Sequence, residues 1–222
     1  MGQLQCKALI FDMDGVLVDT SPSHASAYAT LWDKLSIEGP DYSEIAGRST
    51  INVIDEYAYH LSIEQRQQAV VFKQMNALER LKTADIAFND TVSALEVIAK
   101  HPMKMALATS ASKASSALVL DRLNARRFFQ SVTTGEDVKN AKPAPDLFLH
   151  AIQSLDCDTN DAVIIEDSQS GIDAALASGA KVLSVRNSDI VAKHPHYLGH
   201  FNNLAEMTNY LSHELGWGEM SA

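Results

Sequence analysis

The stretch Ala8-Leu9-Ile10-Phe11-Asp12-Met13-Asp14-Gly15-Val16-Leu17 decides how this 222-residue chain is read. A short apolar run stops at two aspartates one residue apart, followed by glycine. A strand buried on both faces of a parallel sheet has this unbroken apolar texture, and both carboxylates then stand at its C-terminal end. In an open parallel sheet that end faces the ligand crevice. The same residues also suit a strand followed by a solvated Asp-Gly turn, so the rest of the chain must separate the two readings.

Residues 7–12 are the first expected strand. From Pro22 to about Arg80 the texture is helical. Pro22 suits a helix start, and Ala25, Tyr28, Ala29 and Trp32 recur at helical spacing before Gly39-Pro40 breaks the pattern. Further helical patterns cover roughly 43–60 and 63–81. From Asp85 onward helices and strands alternate. Val92, Leu95 and Ile98 mark a helix, and 103–108 a strand ending in Thr109-Ser110. A helix runs to about Leu123, and a strand follows at 131–134. Leu147, Phe148, Ala151, Ile152 and Leu155 line another helix. The strand 162–165 runs into Glu166-Asp167; then come a helix closed by Gly179, a strand at 182–185 and a last helix through Leu204, Met207 and Leu211. Such alternation predicts an α/β fold, a Rossmann-like parallel sheet flanked by helices. Residues 1–18 and 85–222 make its core, and 19–84 an all-helical insertion after the first strand.

Composition narrows the partners. A hydrophobic content of 46% is ample for a buried core, and 18 basic against 28 acidic residues give a formal charge of −10. That balance argues against nucleic acid or an anionic membrane as the main partner. Cys6 and Cys157 stand far apart with no metal or disulfide spacing. The first residues lack a signal-peptide pattern, and no apolar run approaches the ~20 residues of a membrane span. A cytoplasmic protein is the expectation. His194, His196 and His200, around Pro195 and without a carboxylate partner, read as loop residues rather than a metal site.

Three expected strands end in reactive or charged groups: Asp12 and Asp14, Thr109 and Ser110, Glu166 and Asp167. Parallel strands bring all of them to one sheet edge. Clustered carboxylates repel unless something neutralises them, and a hard divalent cation with oxygen ligands, Mg²⁺ beside a phosphate, is the economical partner. Lys142-Pro143-Ala144-Pro145-Asp146 adds a lysine on a stiff segment before a helix, where a bound anion would favour it.

In this order and spacing the motifs resemble the haloacid dehalogenase superfamily, close to its β-phosphoglucomutase and phosphoglycolate phosphatase-like group. Asp12-Met13-Asp14-Gly15-Val16, Ala108-Thr109-Ser110, Lys142-Pro143 and Glu166-Asp167-Ser168 carry the likeness, which spans nearly the whole chain. The resemblance implies Asp12 as nucleophile and Asp14 as general acid and base. It implies a Mg²⁺ ion held by Asp12, the backbone carbonyl of Asp14 and Asp167, with Glu166 at or next to the ion. Thr109 and Lys142 would hold the phosphoryl oxygens, with Ser110 supplying the hydroxyl if the strand ends a residue later. The second aspartate, Asp14, points to phosphate-ester chemistry within the superfamily. The helical insertion corresponds to a cap over the site. Its candidate substrate contacts are Gly47 and Arg48 in the loop Gly47-Arg48-Ser49-Thr50, with Thr20, His24 and Lys73; Arg48, His24 and Lys73 also read as ordinary surface residues. The implied activity is a Mg²⁺-dependent phosphatase of a small phosphorylated metabolite, with a sugar phosphate as the candidate class. A β-phosphoglucomutase-type mutase and a non-catalytic phosphometabolite-binding protein are the alternatives.

Overall fold

The computed structural model describes residues 4–190 and 192–217. Met1, Gly2 and Gln3, read above for a leader pattern, lie outside the described residues. Six strands form one wholly parallel sheet: β1 (Ala8–Phe11), β2 (Lys104–Thr109), β3 (Ser131–Thr134), β4 (Ala162–Glu166), β5 (Lys181–Val185) and β6 (Tyr197–Phe201), in the order β3-β2-β1-β4-β5-β6. The order reverses at β1, which has β2 on one side and β4 on the other. Ligands of such sheets bind at that reversal, beyond the carboxyl ends of the strands. The pairing aligns Phe11 with Leu107 and Ile165, so the residues after β1, β2 and β4 emerge side by side.

β1 is apolar throughout because both its faces are covered. Leu9 and Phe11 point into a cluster with Leu95, Val119, Leu120, Leu204 and Met207. These come from α5 (Thr91–Ile98), α6 (Lys113–Arg122) and α9 (Leu204–Glu214). Ala8 and Ile10 point the other way, against Leu147, Phe148 and Ile152 of α7 (Asp146–Ser154) and Ile172 of α8 (Gln169–Ala177). Gly179, at φ +84, follows α8 as expected of a helix-stop glycine.

Between β1 and β2 lie α1 (Ser21–Leu35), α2 (Tyr42–Ile45), α3 (Thr50–Tyr57) and α4 (Ile63–Leu81). They have a small core of their own, built on Tyr28, Leu31, Trp32, Ile45, Val53 and Ile54. A Ser62–Gln65 capping box starts α4. Two connections tie this block to the sheet side by side, with Asp19 N–H donating to Ile86 C=O at 2.9 Å. No described helix is long and apolar enough to cross a membrane.

Three expectations need correction. Tyr197–Phe201, read as loop, is strand β6: it lies at the sheet edge, is only half-buried, and its pairing slips at Val182/Leu183, so it lacks the apolar run of a central strand. The helical pattern over 43–60 is two helices, because Gly47 at φ +75 turns the chain between them and Ser49 caps the second. In α1 the buried face is Ala27, Tyr28, Leu31 and Trp32, and Ala29 is exposed.

Candidate active site

Asp12 leaves β1 at the sheet reversal, its N–H donating to Ile165 C=O at 3.0 Å. Its carboxylate is buried and accepts a hydrogen bond from Lys142 Nζ at 2.5 Å. Lys142 also donates to Glu166 Oε1. The other Glu166 oxygen, Oε2, accepts from Asp167 N–H at 2.7 Å, Ser168 N–H at 2.8 Å and Ser168 Oγ at 3.0 Å. Both oxygens of Glu166 are thus engaged, and the geometry suits a brace for Lys142 better than a direct metal ligand. Two glycines make room for this arrangement. A Cβ on Gly171 would stand 1.8 Å from Glu166 Oε1, and one on Gly15, at φ +80, would stand 1.8 Å from Asp167 Oδ2.

The electrostatics follow from crowding. Burial, then the charges of Glu166 and Asp14, push Asp12 up to about 8 against the pull of Lys142. Asp167 is raised well above the carboxylate range by burial, Glu166 and Asp12. Burial alone would lower Lys142, but Asp12 and Glu166 outweigh it and hold the ammonium firmly charged. One lysine faces two buried carboxylates, Asp12 and Glu166, with the half-buried Asp167 beside them, a net negative site that a cation would relieve.

Asp14 is partly exposed, its two oxygens reached from three directions. Thr20 Oγ donates to Oδ1, Thr109 Oγ lies 3.5 Å from Oδ2, and His24 Nε2 stands 3.9 Å from Oδ1. The strand β2 runs through Thr109, one residue beyond the expected run; Thr109 is fully buried, and its Oγ accepts from Ala111 N–H at 3.0 Å. Ser110 lines the cleft itself, so both candidate hydroxyls reach the site.

A cleft of about 410 Å³ lies between the helical block and the sheet edge. Asp12, Asp14, Lys142 and Asp167 form its floor, and Gly47 and Arg48 are on its opposite wall. A Cβ at Gly47 would stand 2.9 Å from Ser168 Oγ, so the loop backbone sits close against the core. Arg48 is ion-paired with Glu56. Thr20, His24 and Lys73 are not on the wall but behind Asp14. Lys73 Nζ lies 2.9 Å from His24 Nδ1, 3.5 Å from Thr50 Oγ and 4.3 Å above the Tyr28 ring. Burial and the Lys73 charge drive His24 down to about 4, with Asp14 opposing. Burial brings Lys73 down to about 8, again against Asp14. Lys73 is therefore no solvated surface lysine.

Sequence reading missed Tyr42, Ser170 and Asn187, which also line the cleft. Asn187 had a signal: it follows β5 at the same strand-end edge, and its Nδ2 donates to Asp167 C=O at 3.1 Å. Tyr42 had none, because only the packing of α2 brings it there.

A model of the family described as haloacid dehalogenase-like hydrolase matches residues 9–185. The chain is 30% identical to a phosphorylated carbohydrates phosphatase of Thermotoga maritima over 179 residues, 78% of this chain and 82% of that protein. It is also 30% identical to a fructose-1-phosphate phosphatase of Escherichia coli over 185 residues, 80% of this chain and 95% of that one. Among solved structures, a β-phosphoglucomutase of Clostridium difficile superposes with a TM-score of 0.83 at 22% identity, covering 96% of this chain and 98% of that one. The chain belongs to the haloacid dehalogenase-like hydrolase family.

Proposed function

We propose that this member of the haloacid dehalogenase-like hydrolases is a Mg²⁺-dependent, cytoplasmic phosphatase of small phosphorylated carbohydrates. Residues 1–18 and 85–222 form its catalytic core and 19–84 its cap. The observation that carries the reading is the convergence of Asp12, Asp14, Lys142 and Asp167 on the floor of one cleft. The two relatives named for dephosphorylating carbohydrates support the substrate class.

Asp12 attacks phosphorus, and the P–O bond to the leaving alcohol breaks as Asp14 delivers a proton to that oxygen. The product is an aspartyl-phosphate. Asp14, now a carboxylate, takes a proton from water, whose oxygen attacks phosphorus and releases phosphate while restoring Asp12. Thr20 and Thr109 orient Asp14, and Lys142 offsets charge on the phosphoryl oxygens. Glu166 keeps Lys142 charged and aimed. Thr109 and Ser110 supply hydroxyl or backbone donors at the strand end. The cap excludes water from the first step.

The donor set fits Mg²⁺. That ion keeps several waters and takes one or two carboxylates plus substrate phosphate. Asp12 and Asp167, with the backbone carbonyl of Asp14, supply such a set, and the missing side chain of Gly15 leaves Asp167 its place. When bound, Mg²⁺ would hold Asp12 and Asp167 ionised and draw charge from the phosphoryl group.

Mutase chemistry would use the same floor, and its support is a likeness of fold. Phosphate release across a panel of sugar and polyol phosphates, with Mg²⁺, tests the reading. Asp12→Asn is expected to lower turnover at least about 10³-fold. Isomerisation of β-glucose 1-phosphate without phosphate release would show a mutase instead, and activity surviving in Asp12→Asn would remove Asp12 as nucleophile.

A further inference from the structure

The cleft has a charge pattern that goes beyond its catalytic floor. Two cations line it, and both are committed: Lys142 to Asp12 and Glu166, Arg48 to Glu56. The cleft lining also carries two carboxylates outside the catalytic set, Glu44 and Asp189, both exposed and neither paired with a base among the described residues. Glu44 comes from α2 of the helical block, and Asp189 from the segment after β5, so the two approach the cleft from opposite sides. A smaller adjoining pocket of about 160 Å³ shares Lys142, already held by Asp12 and Glu166, and adds Lys139 and Glu136, one further charge of each sign. The remaining wall offers hydroxyls and amides. Ser170 Oγ is buried with no hydrogen-bond partner, which a ligand hydroxyl would satisfy.

We propose that Glu44 and Asp189 restrict the cleft to monophosphate esters of neutral polyhydroxylated alcohols and select against leaving groups that carry a second anion. Carboxylates accept hydrogen bonds from the hydroxyls of a polyol. The same groups repel a carboxylate or a second phosphate entering beside them, and among the described residues no unpaired cation lines the cleft itself. The inference rests on the phosphatase reading and deepens it. It also bears on the mutase alternative, since a phosphoryl shuttle between two oxygens of one sugar passes through a bisphosphate.

D-Glucitol 6-phosphate and 6-phospho-D-gluconate provide a matched test, because they share a carbon chain and differ at C1, alcohol against carboxylate. Phosphate release should favour the glucitol ester by on the order of tenfold in kcat/KM, mostly through KM. The preference should shrink as ionic strength rises from low to near-molar salt. The double variant Glu44→Gln/Asp189→Asn should hydrolyse 6-phosphogluconate several-fold better than wild type. That gain of activity cannot arise from a damaged fold. Equal or better turnover of the anionic ester by wild type, or a preference untouched by the double substitution, overturns the inference while leaving the phosphatase reading intact. No release from either ester or from p-nitrophenyl phosphate removes both.

Discussion

The sheet domain and the helical block each bury one lysine, and they hold it in opposite ways. Lys142 is 3% exposed and Lys73 is 4% exposed, so solvent does not distinguish them. Lys142 lies between two carboxylates and is kept charged. Lys73 is surrounded by a histidine nitrogen, a threonine hydroxyl and a tyrosine ring, and burial brings it down to about 8. The core thus holds a positive charge on the floor of the cleft, where the proposed mechanism puts the phosphoryl group. The helical block leaves its charge near the edge of deprotonation, at a cost to its own stability. The proposed catalytic groups surround a lysine that carboxylates keep charged, and the block that covers them buries a lysine with no carboxylate in contact.

The sharpest way to break this contrast is to remove each lysine. Lys142→Met leaves Asp12 and Glu166 buried without their cation, and breaking such a group from one side costs about 3–5 kcal/mol. Turnover should fall on the order of 10³-fold. Adding Glu166→Gln to Lys142→Met should recover part of the denaturation midpoint and none of the activity. A Lys142→Met enzyme with a tenth of wild-type turnover would show that the phosphoryl group does not depend on this lysine.

Next in size is Gly171→Ala. The added Cβ would stand 1.8 Å from Glu166 Oε1, so the carboxylate must rotate and Lys142 loses its brace. Overpacking of this kind costs about 1–3 kcal/mol. Displacement of Lys142 by an ångström should lower kcat by up to about 10²-fold. If kcat is unchanged while stability drops, Glu166 does not position Lys142 for the reaction.

How far the sequence could be read follows the same division. The central strands announce themselves because both their faces are buried, and Asp12, Thr109, Glu166 and Asp167 are legible as the residues where apolar runs stop. β6 is not, because an edge strand with Gly199 and a slipped register has neither continuous nor alternating apolarity. In the helical block the pattern gives helices but not partners. Lys73 lies in a polar segment, and only the packing of α4 on α1 puts its ammonium against His24 and Tyr28. Whether Glu166 binds a metal or braces a lysine is likewise a matter of side-chain geometry, fixed by Gly171 five residues on.

The third expected effect has the opposite sign to the first. Lys73→Met should stabilise the protein. Lowering a lysine from 10.5 to about 8 corresponds to up to about 3 kcal/mol at pH 7, from which the lost hydrogen bond to His24 subtracts about 1 kcal/mol. A net gain of about 1–2 kcal/mol should raise Tm by several degrees, with turnover reduced several-fold as support behind Asp14 loosens. The folded state sheds the Lys73 proton above about 8 while the unfolded chain keeps it to 10.5, so wild-type stability should gain from this group as pH rises through that window. Lys73→Met should lack that gain. A destabilised Lys73→Met protein would mean that the ammonium is well paired after all.

The smallest effect separates the two regions by acid, in chelator. Asp12 is raised to about 8 from 3.8, so between those values the folded core binds its proton first and gains stability as pH falls. His24 is lowered to about 4 from 6.5, so the unfolded chain binds first and the helical block loses stability over that range. The two contributions oppose each other in a wild-type melt, and only a difference exposes the second. Between pH 7 and pH 5, wild type should lose about 2 kcal/mol relative to His24→Gln, read from urea midpoints at constant m. In the Lys73→Met background the same difference should shrink, because the lysine charge is the second cause of the His24 shift. A wild-type minus His24→Gln difference that does not change with pH would mean that His24 is as free to protonate in the fold as in the unfolded chain. The helical block would then carry no electrostatic strain for the core to contrast with.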